Sequence, residues 1–177
     1  MVFGAGLGFN EYDFVPFGEE FDPIVRASKL DESLELIVSY WSGKQVNHHG
    51  DNYRAEAVTL APRPLQYPRI PVWTAAGWPR TRPLRRAARW DGVYLMSENQ
   101  TTGDYLTPDD VADVTEFVQS LRSTELGRFD IAVNGELDSE AIPIQAYEEA
   151  GATWWIALCP EDGLDAYRNL IVGGPPR

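Results

Sequence analysis

The chain is poor in cysteine, histidine and positive charge. Of its 177 residues one is cysteine and two are histidine. Cys159 alone forms no intramolecular disulfide, which fits a reducing compartment, and a cytoplasmic protein is expected. It sits in the apolar run 152–159 and reads as a small core residue. His48 and His49 are adjacent, so in a strand they point to opposite sides. With no cysteine at zinc spacing, no metal site is expected. No Ser/His/Asp or Cys/His constellation stands out, so hydrolase chemistry has little to work with. Lys and Arg number 15 against 27 Asp and Glu, a net charge of −12. That balance argues against nucleic acid and against anionic membrane surfaces as partners. No apolar run approaches the ~20 residues that cross a bilayer, and no basic leader precedes the first apolar stretch.

What is present is a globular composition, 44% hydrophobic, in apolar segments that alternate with amphipathic ones. Residues 72–76 read as a short strand buried on both faces, ended by Gly77. Pro79 suits a first helical turn, and an Arg- and Ala-rich helix follows to about Arg89. Small residues at a strand's carboxyl end, before a helix N-terminus, let a phosphate approach the backbone. An ordinary tight βα turn has the same local pattern.

The chain opens on an apolar strand at 2–6, with Gly4, Gly6 and Gly8 alternating so that backbone or ligand can come close. The dinucleotide fingerprint is incomplete, which rejects a Rossmann assignment. Asp22 and Pro23 are cap and first residue of a helix to about Trp41, ended at Ser42-Gly43. Residues 44–68 form an irregular insertion with strands near 46–53 and 57–60. Further strands are expected at 91–96, 129–135 and 152–158. Helices are expected at 108–121, capped by Thr107, at 138–150 and at 164–172. The order is βα, insertion, then four more βα units, the pattern of a parallel α/β sheet. Five units fall short of the eight, in about 250 residues, of a complete barrel.

Several stretches together resemble the luciferase-like monooxygenase family, flavin- or deazaflavin-dependent oxidoreductases built on a TIM barrel. They are Phe3-Gly4-Ala5-Gly6-Leu7-Gly8 with Glu11 and Phe17-Gly18; Arg26, Leu30, Asp31, Glu32 and Leu34 with Trp41-Ser42-Gly43; and His49-Gly50-Asp51-Asn52-Tyr53. Pro64-Leu65-Gln66-Tyr67-Pro68 through Trp73, Arg86-Ala87-Ala88-Arg89, Asp91-Gly92 and Gly151-Ala152-Thr153-Trp154-Trp155 continue the likeness. It covers nearly the whole chain. The resemblance implies an α/β fold, a partial (β/α)8 barrel of about five units in one domain, 1–177. About three family units would precede Met1. That implies a truncated product, a mis-called start, or a subunit paired with a chain supplying the missing strands.

The resemblance further implies FMN or the deazaflavin coenzyme F420 as cofactor and a small organic molecule as substrate. The cofactor would lie near Gly6, Gly8, Ala75, Ala76 and Gly77. Trp78 intervenes before Pro79 where some deazaflavin members have Gly-Pro directly, so the cofactor type stays open. Tyr94 to Ser97 would end another strand on the same side.

Arg80, Arg82, Arg85, Arg86 and Arg89 crowd one helix. Arg80 or Arg82 in its first turn could hold a phosphate; surface ion pairing is the plainer alternative. Glu11, with Asp13 on the same strand face, is a candidate acid–base group, although loop carboxylates are usually just solvated. A non-catalytic chain that associates, with itself or another, through open sheet edges is the competing reading.

Overall fold

Asp22 caps the helix α1 (Pro23–Trp41), its carboxylate accepting from the Ile24 and Val25 N–H groups at 2.7 and 3.0 Å. Those are two of the donors a helix start leaves unpaired. The computed structural model describes residues 1–8, 10–98, 105–135, 143–158 and 163–174. They fall into two compact units, Met1–Val72 and Trp73–Arg177.

The first unit is built around α1. Strand β1 (Phe3–Ala5) precedes two short 3-10 helices, Glu11–Asp13 and Val15–Phe17. Phe3 packs edge-on against Trp41 at 5.5 Å. The Arg26 guanidinium lies 4.6 and 4.7 Å from the Phe14 and Phe21 ring centroids and donates to the Leu7 carbonyl at 2.7 Å. Leu34 is fully buried. After α1, β2 (Val46–His49) and β3 (Arg54–Val58) form an antiparallel hairpin. The second hairpin strand begins at Arg54, not Ala57, because His49 pairs with Arg54 and leaves only four residues for the turn.

The second unit carries a parallel sheet in the order β4 (Val72–Trp78), β5 (Gly92–Ser97), β6 (Asp130–Gly135), β7 (Trp154–Ala157). Helices α2 (Thr81–Ala87), α3 (Pro108–Leu121), α4 (Ile144–Glu149) and α5 (Leu164–Gly173) follow the strands in turn. One sheet face is the core. Ala76, Val93, Leu95, Ile131 and Val133 cluster there with Leu84, Ala87, Val111, Val114, Val118 and Tyr147 of the helices. Burial of aliphatic side chains of this size is worth about 1.5–3 kcal/mol each. Thr107 and Asp110 cap α3 reciprocally, as the sequence predicts.

Two expectations around β4 are corrected. Gly77 does not end the strand: it pairs with Met96, and Trp78 pairs with Ser97. The following helix is shorter than expected. Arg80 is extended, its N–H turning back to the Gly77 carbonyl at 2.9 Å, so α2 starts only at Thr81. It ends at Ala87, where Arg89 and Trp90 make tight three-residue bonds to Arg86 and Ala87. Cys159 and residues 138–142 of the expected fourth helix lie outside the described residues.

Candidate functional site

Strand alternation gives the second unit a face turned away from the helix-packed core, and its residues run in rows. Trp73, Gly92 and Asp130 are in register across β4, β5 and β6. Ala75, Tyr94, Ala132 and Trp154 form the next row. Gly77 with Met96, and Asn134 with Ile156, stand nearest the carboxyl ends of the strands. Large and small residues alternate within the rows. At the centre, Ala75, Gly77 and Ala132 offer little more than backbone. Among the described residues, the nearest atom to a Cβ on Gly77 would be the Glu98 Cα at 3.8 Å, an ordinary van der Waals contact. Burial pushes the Tyr94 phenol up from its ordinary value, which keeps it neutral. Trp154 and Ile156 are exposed on this face, at 52% and 38%.

Ala76 is not part of this face. It is 2% exposed and packs in the helix-side core. Trp78 shares that side: its indole N–H donates to Asp110 at 3.0 Å. Burial opposes charge on Asp110, but the Thr107 N–H and hydroxyl and the Trp78 indole outweigh it and hold the carboxyl below its usual range. Strand β4 is thereby tied to the start of α3.

Arg80 follows β4 and is ion-paired with Glu98, which follows β5. Its side chain is 67% exposed. No side chain caps α2, which is only seven residues long. The other arginines of this stretch diverge: Arg85 lies over Phe117 at 5.3 Å, while Arg86 and Arg89 make contacts of their own.

In the first unit, Gly6 and Gly8 lie just past β1 rather than in it. Gly8 has φ +76, and a Cβ there would fall 2.5 Å from the Phe14 ring. Both the left-handed backbone and the Phe14 packing call for glycine there. Glu11 and Asp13 belong to a 3-10 helix, not a strand face, because Asn10 caps that helix through the Tyr12 N–H. Asp13 accepts from the Asn10 N–H in return, and Glu11 is exposed.

By sequence alone Glu32, with Asp31 and Glu35 on the same helix, reads as part of a solvated face. The structure makes it the acceptor on which the hairpin turn converges. Its carboxylate receives the Asn52 N–H at 2.8 Å, the Asn52 amide at 2.7 Å and the Tyr53 N–H at 2.8 Å, and meets His48 Nε2 at 2.7 Å. Burial works against the charge, but these hydrogen bonds lower the carboxyl to about 2. Glu32 and its partners lie 16 to 21 residues apart, so helix periodicity carried no signal for it. His48 and His49 do diverge, His49 going to Glu56 at 3.1 Å. Among the described residues no three His, Cys, Asp or Glu side chains are grouped to hold a metal ion. No described helix is long and apolar enough to cross a membrane.

The sequence model of the luciferase-like monooxygenase family matches residues 1–169. An F420-dependent glucose-6-phosphate dehydrogenase from Nakamurella multipartita is 32% identical over 99 residues, 55% of this chain and 28% of that protein. The oxygenase component of a flavin-dependent trigonelline monooxygenase from Acinetobacter baylyi is 28% identical over 78 residues, 44% of this chain and 21% of that protein. Among solved structures, the coenzyme F420-dependent tetrahydromethanopterin reductase of Methanopyrus kandleri superposes with a TM-score of 0.56 at 20% identity. That match takes in 76% of this chain and 40% of that one. The matches thus span less than half the length of each of these proteins. The fold class is α/β, as the βα order predicts, and part of a (β/α)8 barrel, as the resemblance implies.

Proposed function

Because the chain belongs to the luciferase-like monooxygenase family, we propose that it forms one wall of a flavin- or deazaflavin-dependent oxidoreductase acting on a small organic molecule. The observation that carries this reading is the open face of β4–β6. Ala75 and Gly77 make a small-residue floor, with Tyr94 and Met96 beside it, and a Cβ on Gly77 would meet no described atom closer than 3.8 Å. That floor fits a planar ring system, which needs close backbone approach and apolar flanks. Sites in barrels form at the carboxyl ends of the strands, where Gly77 and Met96 stand.

FMN or coenzyme F420, when bound, supplies the redox chemistry. The chain's own residues position the ring. Ala75 and Gly77 admit it, and Tyr94 stays neutral beside it. Arg80 offers its guanidinium to an anionic tail in competition with Glu98. Ala76 acts from behind, by fixing the strand against the core. Gly6 and Gly8 are candidates for backbone approach at the end of β1, and Glu11 for an acid–base group. In this reading the chain is one partial-barrel domain with an insertion at about 44–68, and its compartment is the cytoplasm. Relatives of both cofactor types support the class and leave the choice between them to experiment.

The exposure of Trp154 and Ile156 favours a second reading, a non-catalytic chain that associates with another copy or with a chain supplying further strands. Fluorescence titration of the chain with FMN and, separately, with F420 tests the first reading. Sedimentation tests the second. Saturable binding of either cofactor supports the enzyme wall. No binding by a folded chain that self-associates supports the second.

A further inference from the structure

The β2–β3 hairpin is held at one end by the Glu32 carboxylate and strained at the other. At the turn, Glu32 and Ser28 of α1 receive polar groups of the hairpin. One Glu32 oxygen meets His48 Nε2 and the Tyr53 N–H, and the other takes the Asn52 N–H and side-chain amide. Asn52 also donates to Ser28 Oγ at 3.0 Å. The fit leaves no slack: a Cβ on Gly50 would sit 1.7 Å from that first oxygen. At the far end the hairpin register slips between Val46 and His48, and Ala57 is forced to φ +52. The Asn47 side chain holds it there by accepting the Ala57 N–H at 2.8 Å. A left-handed non-glycine residue costs about 1–2 kcal/mol, and surrounding contacts must sustain it.

We propose that this hairpin is a latched strap: the Glu32 carboxylate is its latch, and losing that charge frees residues 48–53 from α1 as one element while α1 stays folded. The inference stands independently of the cofactor reading. A carboxylate is the group the geometry demands, since both oxygens face N–H donors. A glutamine in its place must turn its NH2 toward at least one of them.

Acid should open the strap in the wild type. A carboxyl held near 2 when folded and near 4.5 otherwise favours the latched form above about pH 4.5. That contribution is lost progressively as pH falls from there toward 2. The other titratable groups facing Glu32 are Asp31 and Glu35 on α1, His48 on β2 and Asp51 in the turn. His48 as a cation would strengthen the latch, so the neighbouring acids and His48 act in opposite directions on it.

Amide hydrogen exchange on the full chain tests this, with the Asn52 and Tyr53 N–H groups as direct reporters and Leu34 as reporter of α1. In Glu32→Gln at neutral pH, exchange at 52 and 53 should rise at least about tenfold while Leu34 is unchanged. Asn52→Ala, which keeps the carboxylate, should give a smaller rise at Tyr53 and serves if Glu32→Gln does not fold. His49→Ala, whose partner Glu56 is exposed, should change neither site. Equal acceleration at Leu34 and Tyr53 in either latch variant would overturn the proposal, because the hairpin would then open only with the whole unit. Unchanged exchange at 52 and 53 in Glu32→Gln would overturn it as well.

Discussion

Trp73 on β4 and Trp154 on β7 meet edge to face, ring centroids 5.6 Å apart at 69°, across two intervening strands. The contact exists because β5 carries glycine in Trp73's row. A Cβ on Gly92 would lie 2.6 Å from the Trp73 ring and 2.7 Å from the Asp130 carbonyl oxygen. The Trp73 ring therefore lies on bare backbone to reach Trp154, forming one end of the open face.

Gly92→Ala should be costly for that reason. The methyl group meets the Trp73 ring on one side and backbone on the other, and neither is the far end of a flexible chain. A loss of about 1–3 kcal/mol is expected, as for overpacking elsewhere. It should appear as a lower urea midpoint with unchanged slope. A midpoint equal to wild type would mean Trp73 is free to move.

Ala57→Gly should stabilise. The left-handed backbone at Ala57 costs about 1–2 kcal/mol for alanine, whereas glycine's extra freedom when unfolded costs about 0.5–1 kcal/mol. A net gain of up to about 1 kcal/mol in unfolding free energy is expected. A loss would show that φ +52 is not the conformation the hairpin needs.

Arg122 is bound by geometry rather than charge. Its guanidinium donates to the carbonyls of Ala88, Trp90, Leu126 and Gly127 and lies 4.7 Å from the Phe129 ring centroid. A lysine keeps the charge but not the planar fork. Arg122→Lys should lose about 2 kcal/mol or more of stability, close to Arg122→Ala. Rescue by lysine would contradict this account.

Helix boundaries marked by local chemistry were legible in the sequence. Asp22-Pro23 and Thr107-Pro108 begin α1 and α3, and Ser42-Gly43 ends α1 with Gly43 at φ +67. The alternation of apolar and amphipathic segments was enough for the α/β class. What the sequence did not reveal depends on residues distant along the chain. Gly77 reads as a terminator, but its pairing with Met96 keeps it in the strand. Ala75, Ala76 and Gly77 read as one small-residue patch, yet alternation sends Ala76 into the core. Gly8 reads as a place of close approach, and the Phe14 ring lies where its Cβ would be. Glu32 reads as a surface acid, and a turn 20 residues on converges on it.

The most direct test of the account is a titration of wild type and Gly77→Trp with FMN and with F420, followed by fluorescence. A Cβ on Gly77 would meet no described atom closer than the Glu98 Cα at 3.8 Å, and circular dichroism checks that the variant folds. The account predicts saturable binding of one cofactor to wild type, in the micromolar range, and its loss in Gly77→Trp. Binding that survives a tryptophan at Gly77, in a folded variant, would contradict the open face of β4–β6 as the cofactor wall.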